Sequence, residues 1–309
     1  MVEVRTAGSP DEEDLIFTDL KPSQLSIEMA KMGTPVSPQP IANWLGSMGV
    51  RLRKISKSIP GGASEDRNTQ FENISRLIFE YESEGNPWFS IDTKAKEHLG
   101  MLYRKGRSYC SAPFQAFDHD FPSWADGVVI PHGIYDRSRN LGHINLGLSR
   151  DTSEFACDSF RHFWNAFGKR RYPDATSIML TCDCGGSNSA NKHLFKYDLQ
   201  RLVNLIGLPI RIAHYPSYCS KYNPIERRFF PHVGRACEGK LFDGIDRVVE
   251  LMRRTSTQTG LRTTVHVIEK LYQIGRVATD AMKATLNILY DAIVPKWNNY
   301  VAHPICATN

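Results

Sequence analysis

The sequence predicts an α/β fold, a mixed sheet covered by helices on both faces, with a small all-α unit ahead of it. Three observations carry this. From Trp88 onward three short apolar stretches follow one another with no helical period between them. After them strand-like and helix-like stretches alternate. Residues 23 to 49 hold two short helical patterns across a tight turn.

In chain order, residues 1 to 20 read as an acidic, unordered tail. A first helix carries Leu25, Ile27, Met29 and Met32 ahead of Gly33. Ser37-Pro38 then gives an N-cap followed by proline in the first helical turn, and a second helix runs through Ile41, Trp44, Leu45 and Met48 to Gly49. With Arg51, Arg53, Lys54 and Lys57 behind it, the pair reads as a helix-turn-helix over residues 21 to 58 whose second helix enters the major groove, or as a plain helical hairpin. Residues 59 to 86 are a linker and a helix with Phe71, Ile74, Leu77 and Ile78 on one face, stopped by Gly85-Asn86-Pro87.

The second domain, residues 87 to 305, opens with the strand Trp88-Phe89-Ser90-Ile91-Asp92. Strands over 127 to 135 and 142 to 148 follow, joined by the turn Ser138-Arg139-Asn140. Asp151 to Glu154 spells a capping box for a helix with Phe155, Ala156, Phe160, Phe163, Trp164 and Phe167 on its apolar face and Gly168 at its end. That aromatic series has helical spacing and belongs to the core. Then come a strand over 177 to 182, a helix with Phe195, Leu199, Leu202, Val203 and Ile206, and a strand over 208 to 213. Further helices are expected around Ile245 to Met252 and over 279 to 290. Three strands, then helix, strand, helix, strand, helix is the order of a ribonuclease H-like fold.

Composition narrows the function. The chain has 309 residues, 41% apolar and 23% charged, which is an ordinary globular balance. It has no apolar run of the roughly 20 residues that a membrane span needs. Its acidic start does not resemble a secretory signal, so the protein is expected inside the cell, in the cytoplasm. Seven cysteines without a second zinc-like pair point to reduced thiols. The net charge is +5, yet the first twenty residues carry six acids against Arg5. Residues 21 to 60 carry six bases against Glu28 alone, so a polyanion is the expected partner of that stretch, against the plainer reading of a solvated basic face.

The chemistry lies in acids at strand ends. Asp92 ends the first strand, Asp183 ends the fourth and precedes Cys184-Gly185-Gly186-Ser187-Asn188, and Glu226 opens the helix after the fifth. If the first and fourth strands are neighbours, the two aspartates lie side by side at one sheet edge. Such carboxylates repel one another unless cations neutralise them, and oxygen donors suit Mg²⁺ or Mn²⁺. Two such ions about 3.5 to 4 Å apart can activate a water or a 3′-hydroxyl and stabilise the leaving oxygen of an in-line displacement. Each acid also has a plainer reading: Glu226 as the far end of a capping box from Asn223, Asp183 as the start of a Gly-Gly turn, Asp92 as the end of a hairpin. Asp120, within Asp118-His119-Asp120, competes for the first position, and His119 and His214 read as hydrogen-bonding residues.

Taken together, Ile91-Asp92-Thr93-Lys94 with Glu97, His119-Asp120-Phe121, Pro131-His132-Gly133-Ile134-Tyr135-Asp136, Asp151 to Phe155, Asp183-Cys184-Gly185-Gly186-Ser187-Asn188 and Ser220-Lys221-Tyr222-Asn223-Pro224-Ile225-Glu226 resemble the DDE transposases of bacterial insertion sequences. The similar branch has an Asp-x-Gly-Gly-Ser-Asn turn and is related to the Tc/mariner-like elements. The resemblance implies a ribonuclease H-like catalytic domain with Asp92, Asp183 and Glu226 as a triad holding two Mg²⁺ or Mn²⁺ ions. It implies an N-terminal helix-turn-helix that binds terminal inverted repeats, with Lys221 and Asn223 near the DNA backbone or shaping the site. The implied reaction is hydrolysis at the transposon end and strand transfer of the freed 3′-hydroxyl into target DNA, by a homodimer or larger assembly. A catalytically silent, transposase-derived repressor is the alternative. The chain departs from the family at Cys184 and at Ser217-Tyr218-Cys219.

Overall fold

The computed structural model describes residues 6–9, 12–18, 20–52, 66–185 and 193–303, which fall in two compact units, residues 1–59 and 60–309. In the first unit, β1 (Thr6–Ser9) and β2 (Glu12–Thr18) pair as an antiparallel hairpin where an unordered tail was expected. The run Leu15-Ile16-Phe17 has the strand preference that the acid count concealed. Two short helices follow, α1 (Pro22–Lys31) and α2 (Pro38–Ser47), each with proline in its first turn. Leu25 and Ile41 are their buried members, and the Ser26 hydroxyl donates to the Val36 carbonyl at 2.6 Å across the turn. Arg51 is exposed, whereas Arg53, Lys54, Lys57 and the linker up to residue 65 lie outside the described residues.

The second unit begins with α3 (Arg67–Ser83), longer than its apolar stretch because buried Gln70 and Asn73 extend its inner face. The Gln70 amide donates to the His214 carbonyl at 3.2 Å. Then come β3 (Trp88–Thr93), β4 (Glu97–Leu99), β5 (Gly127–Asp136) and β6 (Leu141–Gly147). The helix α4 (Ser153–Phe163) is capped by Thr152, one residue later than expected, whose hydroxyl accepts the Phe155 N–H at 3.1 Å. Gly168 does not end it: a π turn over Trp164–Gly168 leads into α5 (Lys169–Arg171).

The chain continues through β7 (Ile178–Cys182), α6 (His193–Ile206), β8 (Ile210–His214), α7 (Pro224–Arg228), α8 (Phe230–Cys237), α9 (Ile245–Arg253) and β9 (Arg262–Ile268). The helix expected over 279 to 290 is mostly absent. Only α10 (Asp280–Ala284) is helical, because the Asn287 N–H turns to the Gln200 side chain at 2.7 Å. The chain then pairs β10 (Ile288–Tyr290) with β11 (Asn298–Val301). No helix among the described residues is long and apolar enough to cross a membrane.

The main sheet has the order β10-β11-β8-β7-β3-β5-β6-β9, with β4 attached to β5. Strands β3, β7 and β8 are parallel, as are β6 and β9, and the other pairings are antiparallel. Side chains alternate between the two faces along β3. Phe89 and Ile91 face Phe160, Phe163 and Trp164 of the α4 side together with Leu199 and Val203 of α6. Trp88, on the opposite parity, packs with Ile74, Leu77 and Tyr81 of α3. That second face is continued over β5 and β6 by Ile225, Phe229, Val233, Val248 and Met252 of α7 to α9. Helices thus cover both faces, and Asp92, two residues beyond Ser90 on the Trp88 parity, lies on the α7 face.

Candidate active site

β3 and β7 run parallel in register, with Ser90 opposite Thr181. Two residues further along each strand come Asp92 and Asp183, on neighbouring strands at the same sheet end. Asp92 is only 9% exposed, and its carboxylate accepts the Thr93 N–H at 2.8 Å. Asp183 accepts the Gly185 N–H at 3.1 Å, the Asx turn that its Gly-rich surroundings favour.

Glu226 arrives from the other direction, in the first turn of α7, where its N–H donates to the Asn223 carbonyl at 3.0 Å. α7 can lie this close because Asp92 is paired with Gly133 on β5. A Cβ at Gly133 would stand 2.6 Å from Phe230 and 2.8 Å from Ile225.

The three acids act on one another. Burial foremost, then the charge of Asp183 and that of Glu226, push Asp92 up to about 8. Among the described residues no three His, Cys, Asp or Glu side chains already converge on one point as a ready cation cage. The donor set nonetheless fits a hard divalent cation in kind: it is made of carboxylate oxygens, and its mutual repulsion is what such an ion relieves. Cys184 does not compete. Its Sγ donates to the Tyr215 carbonyl at 2.8 Å, and burial, then Asp183, push the thiol up to about 12, so it stays protonated.

The other sequence candidates separate cleanly. Asp120 is exposed and accepts the Tyr103 N–H at 2.8 Å. His119 is exposed beside Phe121, while His214 is buried with its ring against Phe195. Lys221 is exposed, its ammonium 5.2 Å from the Tyr222 ring centre. Asn223 is fully buried, so it is not on a surface that DNA reaches. It gives α7 no side-chain cap either, because its amide turns into the sheet. Residues Gly186, Ser187 and Asn188 lie outside the described residues. Sequence reading missed Ser90 and Gly133, although both are small residues at registered positions beside the acids. It also passed over Arg227 and Arg228, exposed cations directly after Glu226.

A family model described as a Rhodopirellula transposase DDE domain matches residues 1–304. The chain belongs to this DDE transposase family. Among solved structures, the DDE transposase chain is similar to the Mos1 transposase paired-end complex with the left transposon end: 18% identity, TM-score 0.46, covering 78% of this chain and 66% of that one. It is also similar to the Mos1 mariner paired-end complex with Mn, with 17% identity, TM-score 0.45, and coverage of 78% and 66%. The match therefore spans slightly less than two thirds of the Mos1 chains. No curated protein matches.

Proposed function

We propose that this DDE transposase cuts DNA at the ends of a mobile element and joins the freed 3′-hydroxyls to target DNA, using Asp92, Asp183 and Glu226 as its acids. The observation that supports the reading is the strand register that carries Asp92 and Asp183 to one end of the sheet, with the charge of Glu226 acting on Asp92, in a chain of that family. Asp92 and Asp183 would be shared ligands of Mg²⁺ or Mn²⁺, two ions in all, with Glu226 completing the set. Bound divalent ions supply Lewis-acid activation of the attacking oxygen and neutralisation of the leaving one.

The chain's own residues do the rest. The Thr93 N–H holds one oxygen of Asp92 in a fixed direction, and the Gly185 N–H does the same for Asp183. Ionising Asp92 means giving up the proton that burial and its two neighbours favour, so cation uptake is linked to proton release. Lys221, Arg227 and Arg228 are exposed next to Glu226 and are suited to pairing with backbone phosphates.

Residues 21 to 58, with Arg51, Arg53, Lys54 and Lys57, would bind the terminal inverted repeats as a helix-turn-helix domain, and residues 87 to 305 would form the ribonuclease H-like catalytic domain. Joining two ends calls for at least a dimer on DNA, acting in the cytoplasm on the nucleoid. The test is a labelled terminal-repeat duplex incubated with the protein and Mg²⁺. Wild type nicks it, while Asp183→Asn retains end binding and loses nicking and strand transfer. Binding without nicking by wild type would favour the repressor, and full nicking by Asp183→Asn would remove the assignment.

A further inference from the structure

We propose that Asn223, Ser90 and Thr181 are positioning residues that clamp the Glu226 helix onto the two strands bearing Asp92 and Asp183. This rests on the assignment of those acids as the site. Side chains two apart on a strand share a face, so Ser90 lies one step below Asp92 and Thr181 one step below Asp183. The strand register sets Ser90 and Thr181 opposite each other. Into this pair the chain inserts one carboxamide.

The Asn223 Oδ1 accepts from the Ser90 hydroxyl and, at 3.5 Å, from that of Thr181. Its Nδ2 donates to the Ile91 carbonyl at 3.1 Å, just beyond the last registered pair of β3 and β7. The Ser90 hydroxyl in turn accepts the Ile225 N–H at 3.0 Å, the residue directly before Glu226. Asn223, Ser90 and Thr181 are all fully buried. One polar knot thus joins the strand of the first acid, the strand of the second and the helix start of the third.

The chemistry explains the residue types. A carboxamide supplies an acceptor with two lone pairs and a donor on one short, uncharged group. Aspartate here would put another negative charge under Asp92, and alanine would leave the Ser90 hydroxyl proton without its acceptor and the Ile91 carbonyl without this donor. Neither Asn223 nor Ser90 touches solvent, so their influence on an ion at the acids is exerted through the placement of Glu226.

The test measures Mn²⁺ affinity of the full chain by electron paramagnetic resonance, with circular dichroism melts on the same samples. Loss of an outer partner of a metal ligand weakens affinity by roughly 10- to 100-fold. Asn223→Ala and Ser90→Ala are expected in that range, and Thr181→Ser, which keeps its hydroxyl, within about twofold of wild type on the same argument. A merely structural role would lower the melting temperature and leave affinity in the folded protein alone. If Asn223→Ala does not fold, Ser90→Ala, which keeps the amide's bond to Ile91, decides. Folded Asn223→Ala or Ser90→Ala with wild-type Mn²⁺ affinity overturns the clamp while the metal assignment stands. A wild type that takes up no Mn²⁺ overturns the assignment and the clamp with it.

Discussion

Replacing Asp92 with asparagine should make the metal-free protein more stable at alkaline pH. In the unfolded chain this carboxyl loses its proton near 3.8, whereas burial, Asp183 and Glu226 hold the proton on in the fold up to about 8. Between those values the folded state binds the extra proton, so its contribution is fully present below about pH 4 and drains away as the pH rises toward 8. At about 1.4 kcal/mol per unit, the span from 3.8 to about 8 amounts to roughly 6 kcal/mol. That is comparable to the whole stability of a typical domain. The carboxamide of Asp92→Asn keeps an acceptor for the Thr93 N–H and has no charge to bury, so the variant lacks this slope. The assay is urea unfolding in EDTA from pH 5 to 8.5, read as the difference between variant and wild type. The difference should grow by about 1.4 kcal/mol per pH unit over most of that range and shrink when Mg²⁺ is added to wild type. Parallel curves for the two proteins would refute the reasoning, because Asp92 would then be carrying no pent-up charge.

Three other outcomes are expected from the same geometry. Burial lowers both His132 and His143 to about 3, so they are neutral in the fold. Their contribution is complete above about 6.5 and lost as pH falls toward 3, at about 1.4 kcal/mol per histidine per unit; His143→Gln should therefore reduce the acid loss of stability, relative to wild type, by about 1.4 kcal/mol per unit in urea unfolding followed by tryptophan fluorescence. Gly133→Ala forces a methyl against Ile225 and Phe230, both buried, and should cost about 1–3 kcal/mol in urea unfolding. It should also slow nicking by shifting the helix that bears Glu226. Arg276→Ala removes the cation from Asp198, which is 1% exposed and paired with that guanidinium at 2.9 Å, leaving it the Ser153 hydroxyl at 2.6 Å, and should destabilise by about 3–5 kcal/mol in a thermal melt.

How much of this was legible in the sequence depended on how local the signal was. The strands over 88 to 92 and 177 to 182 announce themselves by unbroken apolar runs, and the acids stand at their ends where a sheet edge must be. The helix around Phe160 was equally plain, because its aromatic spacing is a property of one segment. Gly168 read as a stop because a glycine after an apolar face usually is one; here it makes room for Trp164, whose ring would collide with any Cβ at that position. Asn223 read as an N-cap, and as a residue near the DNA backbone or shaping the site; it does stand at the N-cap of α7, but its side chain caps nothing there. Its real partners, Ser90 and Ile91, lie more than 130 positions away, and no local pattern points to them. β9 and β11 escaped because their residues are mixed in polarity and their identity as strands comes from β6 and β8 beside them.

The knot under the acids also sets an order of events during synthesis. Ser90 and Asn223 are 133 positions apart, and their meeting fixes the start of the Glu226 helix against the strand of Asp92. A nascent chain that has already made β3 and β7 carries two of the acids but has no third to close the site. At ordinary elongation rates of about 5–20 residues per second, the stretch from the end of β7 to Asn223 takes roughly two to eight seconds more to appear. During that interval the three acids of the proposed site are not yet together, and the site is completed only by a long-range closure of the fold.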